Sequence, residues 1–214
     1  MKDLGNYRKS YQKSELLEGE LPEDPINLFN RWFHETEDFG GIEEVNAMTI
    51  ASIGLDGFPK SRVVLLKKFN EEGFIFYTNY ESEKGRALEV NPNVCLSFFW
   101  PTMERQVIIK GVAEKTSTVV SDNYFNSRPD GSKLGAIVSP QSEVIPSRTF
   151  LEENLQQLEK EYEGQPIPRP SYWGGYLVRP VVIEFWQGRP NRLHDRIRYY
   201  LLTNLSWKID RLAP

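Results

Sequence analysis

Cysteine and histidine are almost missing from this chain of 214 residues: Cys95 stands alone, and His34 and His194 are the only imidazoles. One thiol excludes an intramolecular disulfide framework, and one Cys with two His cannot complete the usual Cys/His zinc site. No apolar run approaches the roughly 20 residues that a membrane-spanning helix requires. The N-terminus, Met1-Lys2-Asp3-Leu4-Gly5-Asn6-Tyr7-Arg8, lacks the apolar core of a signal peptide. A basic excess is missing too: formal net charge is −4 and the sequence pI is about 5.4, with no basic stripe to suit a general nucleic-acid binder. The chain therefore reads as cytoplasmic, with no metal, membrane or nucleic-acid partner. Any anion it binds must be caught by locally clustered Arg and Lys. Cys95 lies in the apolar run Val94-Cys95-Leu96-Ser97-Phe98-Phe99, which suggests a buried structural thiol.

Aromatic side chains are plentiful at 13%, with twelve Phe, ten Tyr and five Trp; they suit a core, an interface or a flat-ligand pocket. Residues 1–23 are polar without clear period and read as a mobile N-terminal arm. Residues 24–214 read as one domain. Asp24-Pro25 opens a helix as N-cap and first helical residue, and Ile26, Phe29, Trp32 and Phe33 follow at helical spacing. Strands are expected over 47–53, 61–68, 74–78, 94–100 and 106–114, with a short helix over 82–90. Short connections imply antiparallel pairing. Helices are expected at about 117–127 and 147–162, the second presenting Phe150, Leu151, Leu155, Leu158 and Tyr162 on one face. Strands near 175–186, 196–202 and 206–211 close the chain. This order argues for an α+β fold built on a closed or nearly closed antiparallel barrel with peripheral helices.

Four segments concentrate chemistry, and each also has an ordinary structural explanation. Arg62-Val63-Val64-Leu65-Leu66-Lys67 carries two cations five positions apart; odd spacing on a strand places them on opposite faces, as solvated charges or as ligands of two different anions. Tyr77-Thr78-Asn79-Tyr80-Glu81-Ser82-Glu83-Lys84 runs from a strand end into a helix N-terminus, either a phosphate cradle or a capped helix. Tyr124, Arg128 and Ser132 combine a phenol, a guanidinium and a hydroxyl at a helix end, suited to a phosphate or merely to the helix dipole. The densest segment is Trp186-Gln187-Gly188-Arg189-Pro190-Asn191-Arg192-Leu193-His194-Asp195-Arg196. There His194 can act as donor, acceptor or charge near neutral pH, and Asp195 can pair an Arg in a salt-bridged turn. His34, on a surface helix, reads as structural or solvated.

Together these segments resemble the pyridoxine/pyridoxamine 5'-phosphate oxidase family, in order from about Asp3 to Pro214. Further matching pieces are Glu104-Arg105-Gln106-Val107, Ser139-Pro140-Gln141-Ser142, Trp173-Gly174-Gly175-Tyr176 and the ending Ile209-Asp210-Arg211-Leu212-Ala213-Pro214. The resemblance implies an FMN-binding split β-barrel homodimer. Its reaction would be oxidation of pyridoxine 5'-phosphate and pyridoxamine 5'-phosphate by dioxygen, giving pyridoxal 5'-phosphate. By matching motif, FMN would be held by Arg62, Val63, Val64, Leu65, Leu66, Lys67, Tyr77, Thr78, Lys84, Gln106, Gln141, Ser142, Trp186 and Arg196. The substrate phosphate would meet Lys67, Tyr124, Arg128 and Ser132. Arg192 and His194 would lie beside the reacting substituent, and Arg8 and Tyr11 on an arm that closes over the substrate. One position departs: Glu83 stands where family members commonly carry Arg. An acid beside a phosphate weakens binding unless it faces solvent or finds a cation, so Glu83 is expected to face outward.

Overall fold

The computed structural model describes residues 2–7 and 9–214; Arg8, expected on the arm, lies outside them. Six strands precede the main helical segment: β1 (Ala47–Ile53), β2 (Pro59–Leu65), β3 (Lys68–Asn70), β4 (Gly73–Asn79), β5 (Asn93–Trp100) and β6 (Arg105–Lys115). Three more end the chain: β7 (Trp173–Gln187), β8 (Asp195–Leu201) and β9 (Trp207–Arg211). All pair antiparallel in the order β2-β1-β5-β6-β7-β4-β3, with β8 and β9 continuing from β7. The helices are α1 (Pro25–Phe39), α2 (Glu83–Val90), α3 (Thr118–Ser127), α4 (Asp130–Val138) and α5 (Arg148–Glu161). Asp24 caps α1 by accepting from Ile26 N at 2.8 Å. Among the described residues no helix is long and apolar enough to cross a membrane.

The sheet curls because β7 serves two partners on one edge. Its first half pairs with β4, its second half with β8, and β6 runs along the other edge throughout. The change of partner falls around Pro180, opposite a register shift between Lys110 and Gly111. Proline has no N–H to donate and is tolerated in strands at such irregularities. Across the curl, β2 stops at Leu65. Leu66 N then donates to Asn46 O and Lys67 N to Ile75 O, each at 2.8 Å, which carries the chain from β1 onto β4.

Strand alternation fills the interior. On β5, Val94, Leu96, Phe98 and Trp100 are buried, while Cys95, Ser97 and Phe99 point the other way. Cys95 is thus half-buried on the outer face and not a core thiol. The contiguous apolar run hid a plain two-residue period. Helix α1 plugs the barrel with Phe29, whose ring meets Phe69, Phe74, Phe98 and Trp100 at 5.0–5.9 Å. A smaller cluster of Phe125, Leu134, Ile167 and Trp173 lies under α3 and α4. Leu155, Leu158 and Tyr162 of α5 pack against it, but Phe150 from the same expected face is exposed.

Two elements exceed the sequence expectation. Strand β3 is only three residues long, too short for periodicity to register. Helix α4 follows Pro129 directly, and Asp130-Gly131 reads as a turn in sequence. Removing the plug should cost the most stability: Phe29→Ala should destabilise the protein by about 3–5 kcal/mol, read as a shift in a urea unfolding midpoint.

Candidate active site

A cavity of about 700 Å³ opens between the end of β2, the end of β4, α2 and the α3–α4 corner. Among the described residues four cations, Arg62, Lys67, Lys84 and Arg128, line it, and no carboxylate does. In a chain of net charge −4 this local excess is a built arrangement. Val63, Val64, Leu65, Tyr77, Thr78, Tyr124, Ser132 and Gln141 also line it. Leu66 belongs instead to the barrel core, and Ser142 is exposed beside Gln141 with a left-handed φ of 76°.

The opposite-face expectation for Arg62 and Lys67 fails: both reach the same cavity. Strand β2 ends at Leu65, and the alternation it would impose ends with it. Helix α4, unforeseen in sequence, delivers Ser132 on its first turn, and Gln141 follows its end. The Gln141 amide accepts no proton from α4; its Oε1 takes the Thr78 hydroxyl at 3.2 Å. Tyr77 and Tyr124 stack with ring centroids 3.8 Å apart, continuing to Trp173 at 5.7 Å from Tyr77.

Two of the cations lack the counter-charges that burial normally demands. Lys84 is 4% exposed; its ammonium contacts the Thr78 hydroxyl and forms no ion pair among the described residues. Desolvation, with the positive charge of Arg62 added, lowers its pKa to about 8. The Arg128 guanidinium sits 4.7 Å over the Trp173 ring, and its Nη1 is buried without a hydrogen-bond partner. Burial lowers its pKa as well. An orphaned guanidinium nitrogen and an unpaired buried ammonium fit anionic oxygens at two places in one cavity.

Glu83 lies outside the cavity lining and is partly exposed, as expected, but it is not free in solvent. Its carboxylate binds Lys60 and Arg62 Nη2, the latter at 3.1 Å. The Lys60 ammonium, with help from Arg62, holds the carboxyl below its usual range. Lys60 was not singled out in sequence, and it is the cation across the strand that answers the acid at position 83. Arg86, the other conceivable partner, is taken by Glu143 at 3.0 Å.

The remaining expected residues lie elsewhere. Gln106, Trp186 and Arg196 form a cross-strand row over β6, β7 and β8. Arg196 is held by Glu184 at 2.8 Å and donates to Ala213 O at 2.9 Å. Beside this row the His194 ring lies 4.8 Å from Trp186, and Tyr11 lies 5.6 Å from Trp186 and 5.7 Å from His194. His194 Nδ1 accepts from Arg189 N at 3.1 Å. A backbone N–H can only donate, so Nδ1 is unprotonated and the proton resides on Nε2. Burial, reinforced by Arg192, lowers the His194 pKa against the opposing pull of Asp195. Asn191 and Arg192 both hold left-handed φ, 57° and 63°, strain that marks a constrained turn. Asp195 does pair arginines, with Arg211 at 2.8 Å and Arg189 at 3.5 Å. Arg192 itself is exposed and makes no ion pair among the described residues.

The two groups are well separated. Tyr77 pairs with Gly175, and Trp186 lies eleven residues further along β7, roughly 35 Å of strand at the usual rise.

Fold and cavity define a class: an antiparallel split barrel with an anion pocket on its flank. The chain belongs to the pyridoxamine 5'-phosphate oxidase family, whose model matches residues 34–161. The pyridoxine 5'-phosphate oxidase C-terminal dimerisation region matches residues 173–214. It is 78% identical over 213 residues to a pyridoxine/pyridoxamine 5'-phosphate oxidase of Flavobacterium johnsoniae, covering all of both chains. The corresponding protein of Salinibacter ruber is 50% identical, again over all of both chains. Among solved structures, PhzG from Burkholderia lata in complex with tetrahydrophenazine-1-carboxylic acid matches with a TM-score of 0.87 at 29% identity, covering 95% of this chain and all of that one. A pyridoxamine 5'-phosphate oxidase-related, FMN binding protein from Nostoc punctiforme shares the fold, with a TM-score of 0.70 at 15% identity over 88% of this chain and 96% of that one.

Two measurements test the electrostatics of the cavity. An anion stabilises charged Lys84 and raises its pKa from about 8, so binding above that pH must take up a proton. FMN affinity should therefore hold below pH about 8 and fall above it, with the fall abolished in Lys84→Met, as read by flavin fluorescence titration. Glu83→Gln should release Arg62 and tighten FMN binding by roughly tenfold; unchanged or weaker binding would show that the carboxylate helps to orient Arg62.

Proposed function

We propose that this protein is an FMN-dependent oxidase that converts pyridoxine 5'-phosphate and pyridoxamine 5'-phosphate to pyridoxal 5'-phosphate, with dioxygen as final acceptor. Hydrogen peroxide is released, and ammonia from the amine. The observation that carries this reading is the four-cation, carboxylate-free cavity, with unpaired charge at two separate places, in a chain of this family. Two phosphorylated ligands, cofactor and substrate, require two such places.

Arg62, Lys84 and the Thr78–Gln141 pair would hold the FMN phosphate end, with Val63, Val64, Leu65, Lys67 and Tyr77 around the cofactor and Ser142 beside Gln141. Lys67, Tyr124, Arg128 and Ser132 would take the substrate phosphate. Bound FMN supplies the hydride acceptor for the C4' carbon and passes the electrons to dioxygen. The protein's own share is positioning and charge.

Gln106, Trp186, Arg196, Arg192, His194 and Tyr11 act at the same reaction centre from a second copy of the chain. A strand that separates the two groups by roughly 35 Å cannot bring both to one mononucleotide. The matched dimerisation region contains Trp186, Arg192, His194 and Arg196, which supports a homodimer with two composite sites. In each, His194 presents Nε2–H as a donor to the C4' hydroxyl or amine, while Arg192 adds fixed positive charge. The tautomer makes His194 an orienting donor and leaves no lone pair on Nε2 to accept a proton.

The direct test is anaerobic mixing of the FMN-loaded protein with pyridoxine 5'-phosphate: the flavin absorbance should bleach and return on admitting air, with peroxide formed. Absence of bleaching would overturn the reading. Arg128→Ala should raise KM for the phosphorylated substrate on the order of ten- to a hundredfold, with little change for unphosphorylated pyridoxine. The pH dependence carries a sign. The lowered His194 pKa keeps the imidazole neutral somewhat below the ordinary value of 6.5, so flavin reduction should persist through pH about 6.5 into mildly acid solution. It should decline only at still lower pH, where protonation of Nδ1 removes the acceptor for Arg189 N–H.

A further inference from the structure

Glu104 has no part in the cavity, yet it is the one buried carboxylate among the described residues, 2% exposed. Its partners come from the opposite end of the chain. Oε2 accepts the backbone N–H of Gln12 at 2.8 Å and of Lys13 at 3.1 Å, and Oε1 meets Lys9 Nζ at 3.1 Å. Burial alone would push the carboxyl up, but the Lys13 and Gln12 amides and the Lys9 ammonium outweigh it and hold it below its usual range.

The residue is fixed from its other side as well. Its backbone is left-handed at φ 56°, and its carbonyl accepts from Gly188 N at 2.8 Å and Gln187 Nε2 at 3.2 Å. Glu104 is thereby tied to the end of β7 that carries Trp186. At Gly188 the arm passes so closely that a Cβ would lie 2.7 Å from Tyr11 Cγ. Only glycine admits the Tyr11 ring at this distance.

We propose that Glu104 is the positioning residue of the N-terminal arm: its carboxylate grips the Gln12 and Lys13 amides and thereby holds Tyr11 against Trp186 and His194. It acts through Tyr11 and touches no reacting atom. A carboxylate accepting two adjacent backbone N–H groups fixes the direction of the chain as a single contact cannot. The next anchor lies just beyond, where Asp195 Oδ2 accepts Leu16 N at 3.1 Å and Arg211 donates to Leu16 O at 2.8 Å. Tyr11 is thus the side chain that the first grip places directly. The consequence for substrate binding rests on the oxidase reading; the anchoring itself does not.

The experiment uses the FMN-loaded full chain and three variants, Glu104→Ala, Glu104→Gln and Gln12→Pro. Hydrogen exchange at the Gln12 and Lys13 amides reports the grip directly. Glu104→Ala should abolish their protection, and Glu104→Gln, which keeps an acceptor oxygen, should restore part of it. In steady state, Glu104→Ala should raise KM for pyridoxine 5'-phosphate about tenfold with a smaller change in kcat and no change in FMN affinity. Gln12→Pro removes one donor without touching the barrel, so it should shift KM the same way even if Glu104→Ala fails to fold. Protection retained in Glu104→Ala, or KM unchanged in Gln12→Pro, would overturn the proposal. Wild-type protein that never reduces its flavin would sink the oxidase reading, while the exchange data would still decide the anchor.

Discussion

The constraint on which the rest depends is strand β7. Fifteen residues long, it is among the described residues the one strand with three partners, and the change from β4 to β8 at Pro180 lets an antiparallel sheet curl without closing fully. Each half of the strand carries one group of site residues. Trp173, at its start, backs the cation cavity; Trp186, near its end, joins Gln106, Arg196 and His194. Both stretches are hydrogen-bonded on two edges, so the groups cannot approach each other by a loop movement. Under the proposed reading, a fold that holds half-sites rigidly apart makes association of two chains a condition of chemistry.

The cavity illustrates a second consequence of rigidity. Lys84 and Arg128 are charged groups removed from water without a carboxylate to offset them, a state that costs folding stability and is stored until an anion arrives. Sparing the Arg62–Glu83 pair from that pattern has a physical logic. Four unpaired cations around one cavity would repel each other, as the effect of Arg62 on Lys84 already shows. An acid at position 83 relieves part of that repulsion in the empty protein. Its binding to Lys60 as well spreads the negative charge, so Arg62 is held less firmly than in an isolated pair.

Much of this was legible in the sequence, and the failures share a cause. Alternation and capping gave the barrel strands, the Asp24 cap and the core aromatics, because those signals are local and periodic. Order along the chain gave the family. Period reasoning went wrong where an element stopped: Arg62 and Lys67 share a cavity because β2 ends two residues before Lys67, and no residue type announces that end. Cys95 erred the other way, a contiguous apolar run concealing an outward-facing position. Helix α4 was lost to a Pro-Asp-Gly string that reads as a turn. Glu104 entered only as part of a matching string, and neither its role nor that of Lys60 could be read by pattern: the arm amides that Glu104 holds are 91 and 92 residues away and the Glu83 that Lys60 meets is 23 residues on, and charge complementarity over such distances has no signature in one sequence.

The second group shows how little acid–base machinery the arrangement contains. His194 is the imidazole beside Trp186, its pKa lowered chiefly by burial, and its Nδ1 is committed to Arg189 N–H. That bond fixes the ring's tautomer, and the left-handed backbone at Asn191 and Arg192 shapes the turn that makes the bond possible. The strain therefore maintains a donor in a defined direction. It does not prepare a base. Under the proposed reading, loss of a hydride from C4' is matched by loss of the hydroxyl proton to water; a neutral Nε2–H beside a fixed guanidinium orients and polarises the substituent and is not the acceptor of that proton.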